Sequence, residues 1–273
     1  MGVTPAHETP NRVTRRGLGL PVAVPPEVIR SAAVAAQDCG YGSFWLNNPP
    51  RSDALCVLGG IVHVATSIRL GVGVIPLSDH KPGDIVRAVW QNHLPVDRLW
   101  LGIGSGSGAG AVERVRGGLR AIRAELKCSL VIAALGPRMC RLAGAEADGV
   151  LLNWLSPQWA RRSVEWVRDG ANGAGRAMPR TMAYVRVARG HEAIARLERE
   201  AAGYEAIPHY RAHFERMGTP AVGTAVTGET PQDIQRGLSA WDGVVDEVIV
   251  RAVVARDTGE EVLDLVEAAR PMA

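Results

Sequence analysis

The hydrophobic positions of this chain alternate between two spacings. Short, almost unbroken apolar runs at residues 18–24, 43–46, 68–77, 98–103, 129–134, 149–152, 181–188 and 244–251 are bounded by Gly, Pro and Asn and read as strands buried on both faces. Between them apolar residues return every three or four positions, the spacing of one helical face. Thus Val28, Ile29, Ala32, Ala33 and Ala36 form a stripe that opens at Pro25-Pro26 and stops at Gly40. Leu55, Val57, Leu58, Ile61 and Val62 form another behind Asp53, a residue suited to cap it. Ile85, Val86, Val89 and Trp90 mark a helix over 82–94, and further helices are predicted over 112–126, from Gly136-Pro137 to about residue 145, and after the Ser156-Pro157 cap. Beyond the seventh strand the beat changes: helical patterns at 191–202, 208–217 and 230–240 precede the last strand and predict an insertion, and 260–269 is the closing helix.

Alternating strand and helix units imply a parallel sheet, and eight of them in 273 residues imply closure into a (β/α)8 barrel, which typically needs ~250 residues. An open doubly wound sheet would instead place a glycine-rich phosphate loop after the first strand, and residues 20–26 contain none. The expected organisation is a tail over residues 1–16, flexible and solvated and carrying Arg12, Arg15 and Arg16, followed by one barrel domain over 17–273.

Charge and cysteine usage narrow the class further. The formal net charge of +3 is carried almost wholly by arginine, with Lys81 and Lys127 the only lysines, and no basic face for nucleic acid is read from it. Cys39, Cys56, Cys128 and Cys140 are far apart in sequence, at neither zinc-ligand nor redox spacing, and read as reduced packing residues. No apolar run reaches the ~20 residues that cross a bilayer, and residues 1–16 lack the apolar centre of a secretion signal, so a cytoplasmic location with no membrane partner is expected.

In a parallel barrel the ligand sits over the carboxyl ends of the strands. The loops there, Asn47-Asn48, residues 75–80, 104–108 and 135–139, and Asn153-Trp154, are poor in ionisable groups. Asp79 and His80 stand without a partner carboxylate, a metal-ligand set or a Ser-His-Asp arrangement, which disfavours acid-base or metal-assisted hydrolysis. What these loops offer is apolar wall (Val74, Ile75, Leu135) and free backbone amides at Gly104-Ser105-Gly106 and Gly136-Pro137-Arg138, two candidate anion cradles. The tryptophans Trp90, Trp100, Trp159, Trp166 and Trp241 read as packing residues, whereas Trp45 and Trp154 end strands where they would flank a ring. Asp148 belongs to the opposite, stability face, and Asp246-Glu247 is expected to pair with a neighbouring arginine.

The ordered series GYGSFW (40–45), IRLGVGVIPL (68–77), LWLGIGSGSG (99–108), VIAALGPRMCRLAGAEADGVLLNW (131–154) and VDEVIVR (245–251) resembles the luciferase-like flavin-dependent oxidoreductase superfamily. AALGPRM, together with the segment at 204–218 that contains Tyr204 and His209, looks most like the coenzyme F420-dependent oxidoreductases common in actinobacteria. The resemblance covers nearly all of the chain from Leu18 onward.

It implies a barrel with an insertion after strand seven, a planar tricyclic cofactor across the strand ends, hydride transfer to or from a small organic substrate, and a homodimer. By position in the motifs, Gly73, Val74 and Ile75 match the bulge that supports the ring, and a cramped bulge there would account for glycine at 71 and 73. Gly104 and Ser105 match the loop after strand four, and Ala134, Leu135, Gly136, Pro137, Arg138 and Met139 match the segment that holds the cofactor tail. Trp45, Asn48, Asn153 and Trp154 are then the candidate substrate pocket. Where relatives carry an Asp-His pair after strand two this chain has Asn47-Asn48 and so lacks the proton-moving histidine; an amide hydrogen bond from Asn47 or Asn153 is the candidate for polarising the substrate. Other readings are an FMN-dependent monooxygenase of the same superfamily, a degenerate non-catalytic flavin binder, and a phosphate-binding isomerase using Lys81 and Asp79. His209 and Tyr204 read as structural hydrogen-bonding residues rather than catalysts.

Overall fold

The computed structural model describes residues 14–272. Its strands are β1 (Arg15–Leu20), β2 (Ser43–Leu46), β3 (Arg69–Pro76), β4 (Leu99–Gly104), β5 (Ser129–Ala134), β6 (Gly149–Asn153), β7 (Arg180–Arg189), β8 (Val226–Gly228) and β9 (Glu247–Val253). All pair in parallel, and β1 to β7 with β9 close into an eight-stranded barrel through the β6–β7, β7–β9 and β1–β9 ladders. The outer layer consists of α1 (Pro26–Asp38), α2 (Ala54–Gly59), α3 (Pro82–Gln91), α4 (Ala111–Glu125), α5 (Pro137–Glu146), α6 (Pro157–Gly173), α9 (Pro231–Ser239) and α10 (Gly259–Ala268). Between β7 and β9 the insertion adds α7 (His191–Glu205), α8 (Pro208–Met217) and the short β8.

The (β/α)8 reading therefore holds, with three corrections. β1 begins at Arg15 and ends at Leu20, so Arg15 and Arg16 belong to the barrel and not to a solvated tail; Arg12 lies outside the described residues. Hydropathy passes over Arg16 because it is charged, yet it is buried with its guanidinium donating to Gln235 Oε1 at 2.7 Å and to the Ala269 and Arg270 carbonyls at the end of α10. A cation there completes the carbonyls and meets the negative end of the helix dipole. The second correction is β8, a ninth strand, which pairs with Val187–Arg189 on the edge of β7 that β6 leaves free beyond Asn153. The third is α2, which stops at Gly59 instead of reaching Val62; Gly59 packs on the Asn92 carbonyl so closely that a Cβ would come within 2.9 Å.

The barrel interior is filled in layers, as side chains alternate between the inside and the helices. At the base Glu247, 2% exposed, accepts from Arg180 at 3.1 Å and from Ser43, whose hydroxyl in turn accepts from Trp45 Nε1 at 2.7 Å. Among the described residues Asp246 pairs with no arginine; it accepts from the Thr181 amide at 2.8 Å and hydroxyl at 3.0 Å. Above lie Trp45, Trp100, Val131, Leu151, Met182, Tyr184 and Ile249. Such bulk fits because facing positions are glycine: a Cβ on Gly71 would lie 2.2 Å from the Trp45 ring, and one on Gly73 would lie 2.7 Å from the Tyr184 ring. Asp148 sits at this same base, away from the mouth, accepting from Leu130 N and Arg123. Among the described residues no helix is long and apolar enough to cross a membrane.

Candidate functional site

The carboxyl ends of the strands divide the barrel mouth into an open half and a covered half. The open half is built by β2 to β5. The β3–β4 register shifts between Val72 and Ile75, and the Gly73-Val74 peptide is cis. The shift carries Val74 across the mouth, where its two methyls cover Gly102 and Gly104; a Cβ on either glycine would meet them at 2.9 Å. Val74 packs on the Trp45, Trp100, Val131 and Leu151 layer beneath and stays half-exposed above, an apolar ledge at the top of a filled cylinder.

Beside the ledge, β5 runs into α5 at Gly136. Gly136 has φ −135° and ψ 168°, extended backbone open to any residue, and a Cβ there would meet nothing within 4 Å. No side chain among the described residues caps α5. The amides of Arg138 and Met139 in the first turn therefore lack intrahelical acceptors and face the mouth with the positive end of the helix dipole and the exposed Arg138 side chain. The loop after β4 is different in kind. Arg114 donates to the carbonyls of Ser105, Ser107 and Ala109, and Ser107 N donates to Ser78 Oγ at 3.3 Å, so this glycine loop is clasped around a cation and is not an anion cradle.

The insertion covers the other half. Trp154, 1% exposed, has φ +53°, packs edge-on against Phe214 and tilted against Tyr204, and carries the Arg186 guanidinium 3.6 Å above its ring. Arg186 on β7 donates to Glu200 on α7 at 3.1 Å and also to Asn153 Oδ1. Arg251 on β9, the register partner of Arg186, lies 3.5 Å from the other oxygen of Glu200. Burial pushes the Glu200 carboxyl up, but Arg251 and Arg186 together outweigh it and hold the group below its ordinary value. Tyr210, pushed up to about 12 by burial, accepts from Asn153 Nδ2 at 3.3 Å. His213 Nε2 lies 3.0 Å from the Trp154 carbonyl, and burial lowers its pKa.

The structure brings together Gly73, Val74, Leu135, Gly136, Pro137, Arg138 and Met139 at the open half, with Gly104 beneath Val74 and Ser105 in the adjoining loop. Asn47 reaches the rim half-buried; its carbonyl oxygen accepts from Val22 N at 2.9 Å and its amide nitrogen has no acceptor among the described residues. The other expectations are corrected. Trp45 is fully buried inside the barrel and Trp154 lies under the insertion, so neither flanks the open half. Asn48 is buried and accepts from Ala54 N at 2.9 Å at the start of α2. Asn153 belongs to the Arg186 network. Ile75 and Ala134 are buried against the helix layer, and Ala133 is the β5 residue that turns inward. His209 is exposed and packs on Tyr210 without a hydrogen bond among the described residues, while Tyr204 packs on Trp154. Asp79 is exposed and accepts from Ser78 Oγ, and Lys81 is exposed, so these two form no catalytic pair.

Sequence reasoning missed Tyr184, Arg186, Glu200 and Arg251. The available signal was register: arginine recurs at inward positions near the carboxyl ends of two otherwise apolar strands.

Residues 5–127 match the luciferase-like monooxygenase family. Solved structures with the same fold include an F420-dependent secondary alcohol dehydrogenase in complex with an F420-acetone adduct (TM-score 0.74, 11% identity, covering 95% of this chain and 100% of that one). A second is the coenzyme F420-dependent tetrahydromethanopterin reductase from Methanopyrus kandleri (TM-score 0.72, 18% identity, 95% and 98%). A third is the oxygenating constituent of 3,6-diketocamphane monooxygenase from Pseudomonas putida in complex with FMN (TM-score 0.71, 14% identity, 94% and 96%). No curated protein matches the sequence. The first part of the chain thus matches this family's model, and the chain as a whole shares the (β/α)8 barrel fold of these structures.

Proposed function

We propose that this chain is a cytoplasmic, homodimeric oxidoreductase that holds coenzyme F420 across the open half of the mouth and moves hydride between it and a small organic substrate. One observation carries the reading: a half-exposed apolar ledge at Val74 lies beside an uncapped helix N-terminus at Gly136 with free space above it. That pairing suits a flat apolar ring with an anionic tail. When bound, the deazaflavin supplies the hydride from its C5. Val74 would support the ring and keep its face dry, the amides of Arg138 and Met139 would hold the tail, and Asn47 Nδ2 would donate a hydrogen bond to the substrate.

FMN is a second reading, favoured by the same geometry, since it is also a tricycle with an anionic tail and one relative above is a complex with it. Thermal melts separate the two, because a ligand at one hundred times its dissociation constant adds about 2.7 kcal/mol. A melting shift with F420 and none with FMN supports the proposal; a shift with FMN alone replaces it by an FMN-dependent monooxygenase. No shift with either points to a non-catalytic barrel. Light scattering reads the dimer.

A further inference from the structure

The covered half holds an imbalance of charge that the cofactor does not use. Arg186 and Arg251 converge on a single carboxylate, Glu200, and all three side chains are largely buried. The neighbouring cation Arg196 has its own partner, Asp257, at 2.8 Å, and Arg189 pairs with Asp264. Two guanidiniums against one carboxylate leave a surplus of one positive charge in a poorly solvated place, a costly arrangement unless an anion completes it.

A second observation points the same way. Tyr184, 8% exposed, has a hydroxyl with no hydrogen-bond partner among the described residues. It stands two residues before Arg186 on the same inward face of β7, and Arg186 and Arg251 both act on it electrostatically. Its oxygen lies over the β3 bulge, 2.8 Å from where a Cβ of Gly73 would be, and so borders the ledge of the open half. A buried donor without an acceptor is rare in a folded chain and implies a missing partner.

We propose that Tyr184, Arg186 and Arg251 form a subsite for the carboxylate of the substrate. The inference rests on the proposed hydride transfer for the location of the substrate and adds its class: a small organic acid whose reacting carbon projects over Val74. A monoanion matches the surplus of one charge, whereas a phosphate dianion would leave a buried negative charge. The planar carboxylate also suits the guanidinium fork, and each arginine keeps N–H groups that no acceptor among the described residues takes.

The test titrates the full chain with benzoate, with its neutral isostere benzamide and with inorganic phosphate by calorimetry, in the presence and absence of coenzyme F420. Benzoate is expected to bind at least tenfold tighter than benzamide and than phosphate. The variants Tyr184→Phe and Arg251→Met are each expected to lose tenfold or more for benzoate while binding F420 as the parent does. Arg251→Met leaves Glu200 paired one to one with Arg186; should it not fold, Tyr184→Phe and the acid-amide comparison decide. Equal binding of benzoate and benzamide, stronger binding of phosphate, or unchanged benzoate affinity in the variants overturns the subsite. Failure of F420 to bind while the benzoate selectivity stands would remove the hydride-transfer reading and leave the subsite in place.

Discussion

Replacing Gly136 by aspartate gives two effects of opposite sign from one atom position. The backbone there is extended and the space above the Cα is free, so the side chain enters without displacing anything. Aspartate is a strong N-cap: relative to glycine the capping bond adds a few tenths of a kcal/mol. A carboxylate at the positive end of α5 adds about 0.3–1 kcal/mol. The sum, about 0.5–1.5 kcal/mol, corresponds to a rise in melting temperature of about 1–6 °C for a chain of this size. For the proposed cofactor the same carboxylate would be harmful, because it would take the amides of Arg138 and Met139 and repel an anionic tail. One lost charge-assisted hydrogen bond costs about 1.5–3 kcal/mol. With the added repulsion, about 2–4 kcal/mol corresponds to roughly 30-fold to 1,000-fold weaker binding. Differential scanning calorimetry reads the first effect and quenching of deazaflavin fluorescence the second. A Gly136→Asp variant that melts higher and binds the cofactor as the parent does would refute the placement of the tail; one that melts lower would refute the open cap.

Three further outcomes follow from the packing and charges. Gly71→Ala drives a Cβ to 2.2 Å from the fully buried Trp45 ring, which Ser43 holds in place, and should cost about 1–3 kcal/mol or more in urea unfolding. Tyr184→Phe removes a buried hydroxyl that has no partner among the described residues, so the melting temperature of the cofactor-free chain should stay unchanged or rise, whereas a clear fall would show that the hydroxyl is satisfied. Glu200→Gln leaves Arg186 and Arg251 without their carboxylate and should cost about 3–5 kcal/mol. Because the folded pKa of Glu200 lies below its ordinary 4.5, its contribution is complete above that value and is lost as the pH falls through the folded one. The variant should therefore show a flatter acid limb in stability against pH, and an identical limb would contradict the assignment.

The barrel was legible in the sequence because strands buried on both faces leave continuous apolar runs, and the helix starts were marked by Pro82, Pro137, Pro157 and Pro208 at the first helical position. Arg16 shows the limit of that reading: its charge breaks the run, while its solution, a set of carbonyls at the end of α10, lies more than two hundred residues away. The same limit hid half of the mouth. Val74 and Gly136 reveal themselves through local signals, a bulge-prone glycine pair and a glycine-proline helix start. Tyr184, Arg186, Arg251 and Glu200 become a group only through the parallel register of β7 with β9 and the fold-back of α7, which no local pattern encodes. Trp45 and Trp154 mislead for the converse reason: each ends a strand, but Gly71 opens room for the first inside the barrel and α8 buries the second.

Crystals of the chain grown with coenzyme F420 test the central claim most directly. The ring is expected on the exposed face of Val74, with the charged tail within hydrogen-bonding distance of the Arg138 and Met139 amides. Density for the ring in any other place, or saturating cofactor with none bound at the mouth, would contradict it.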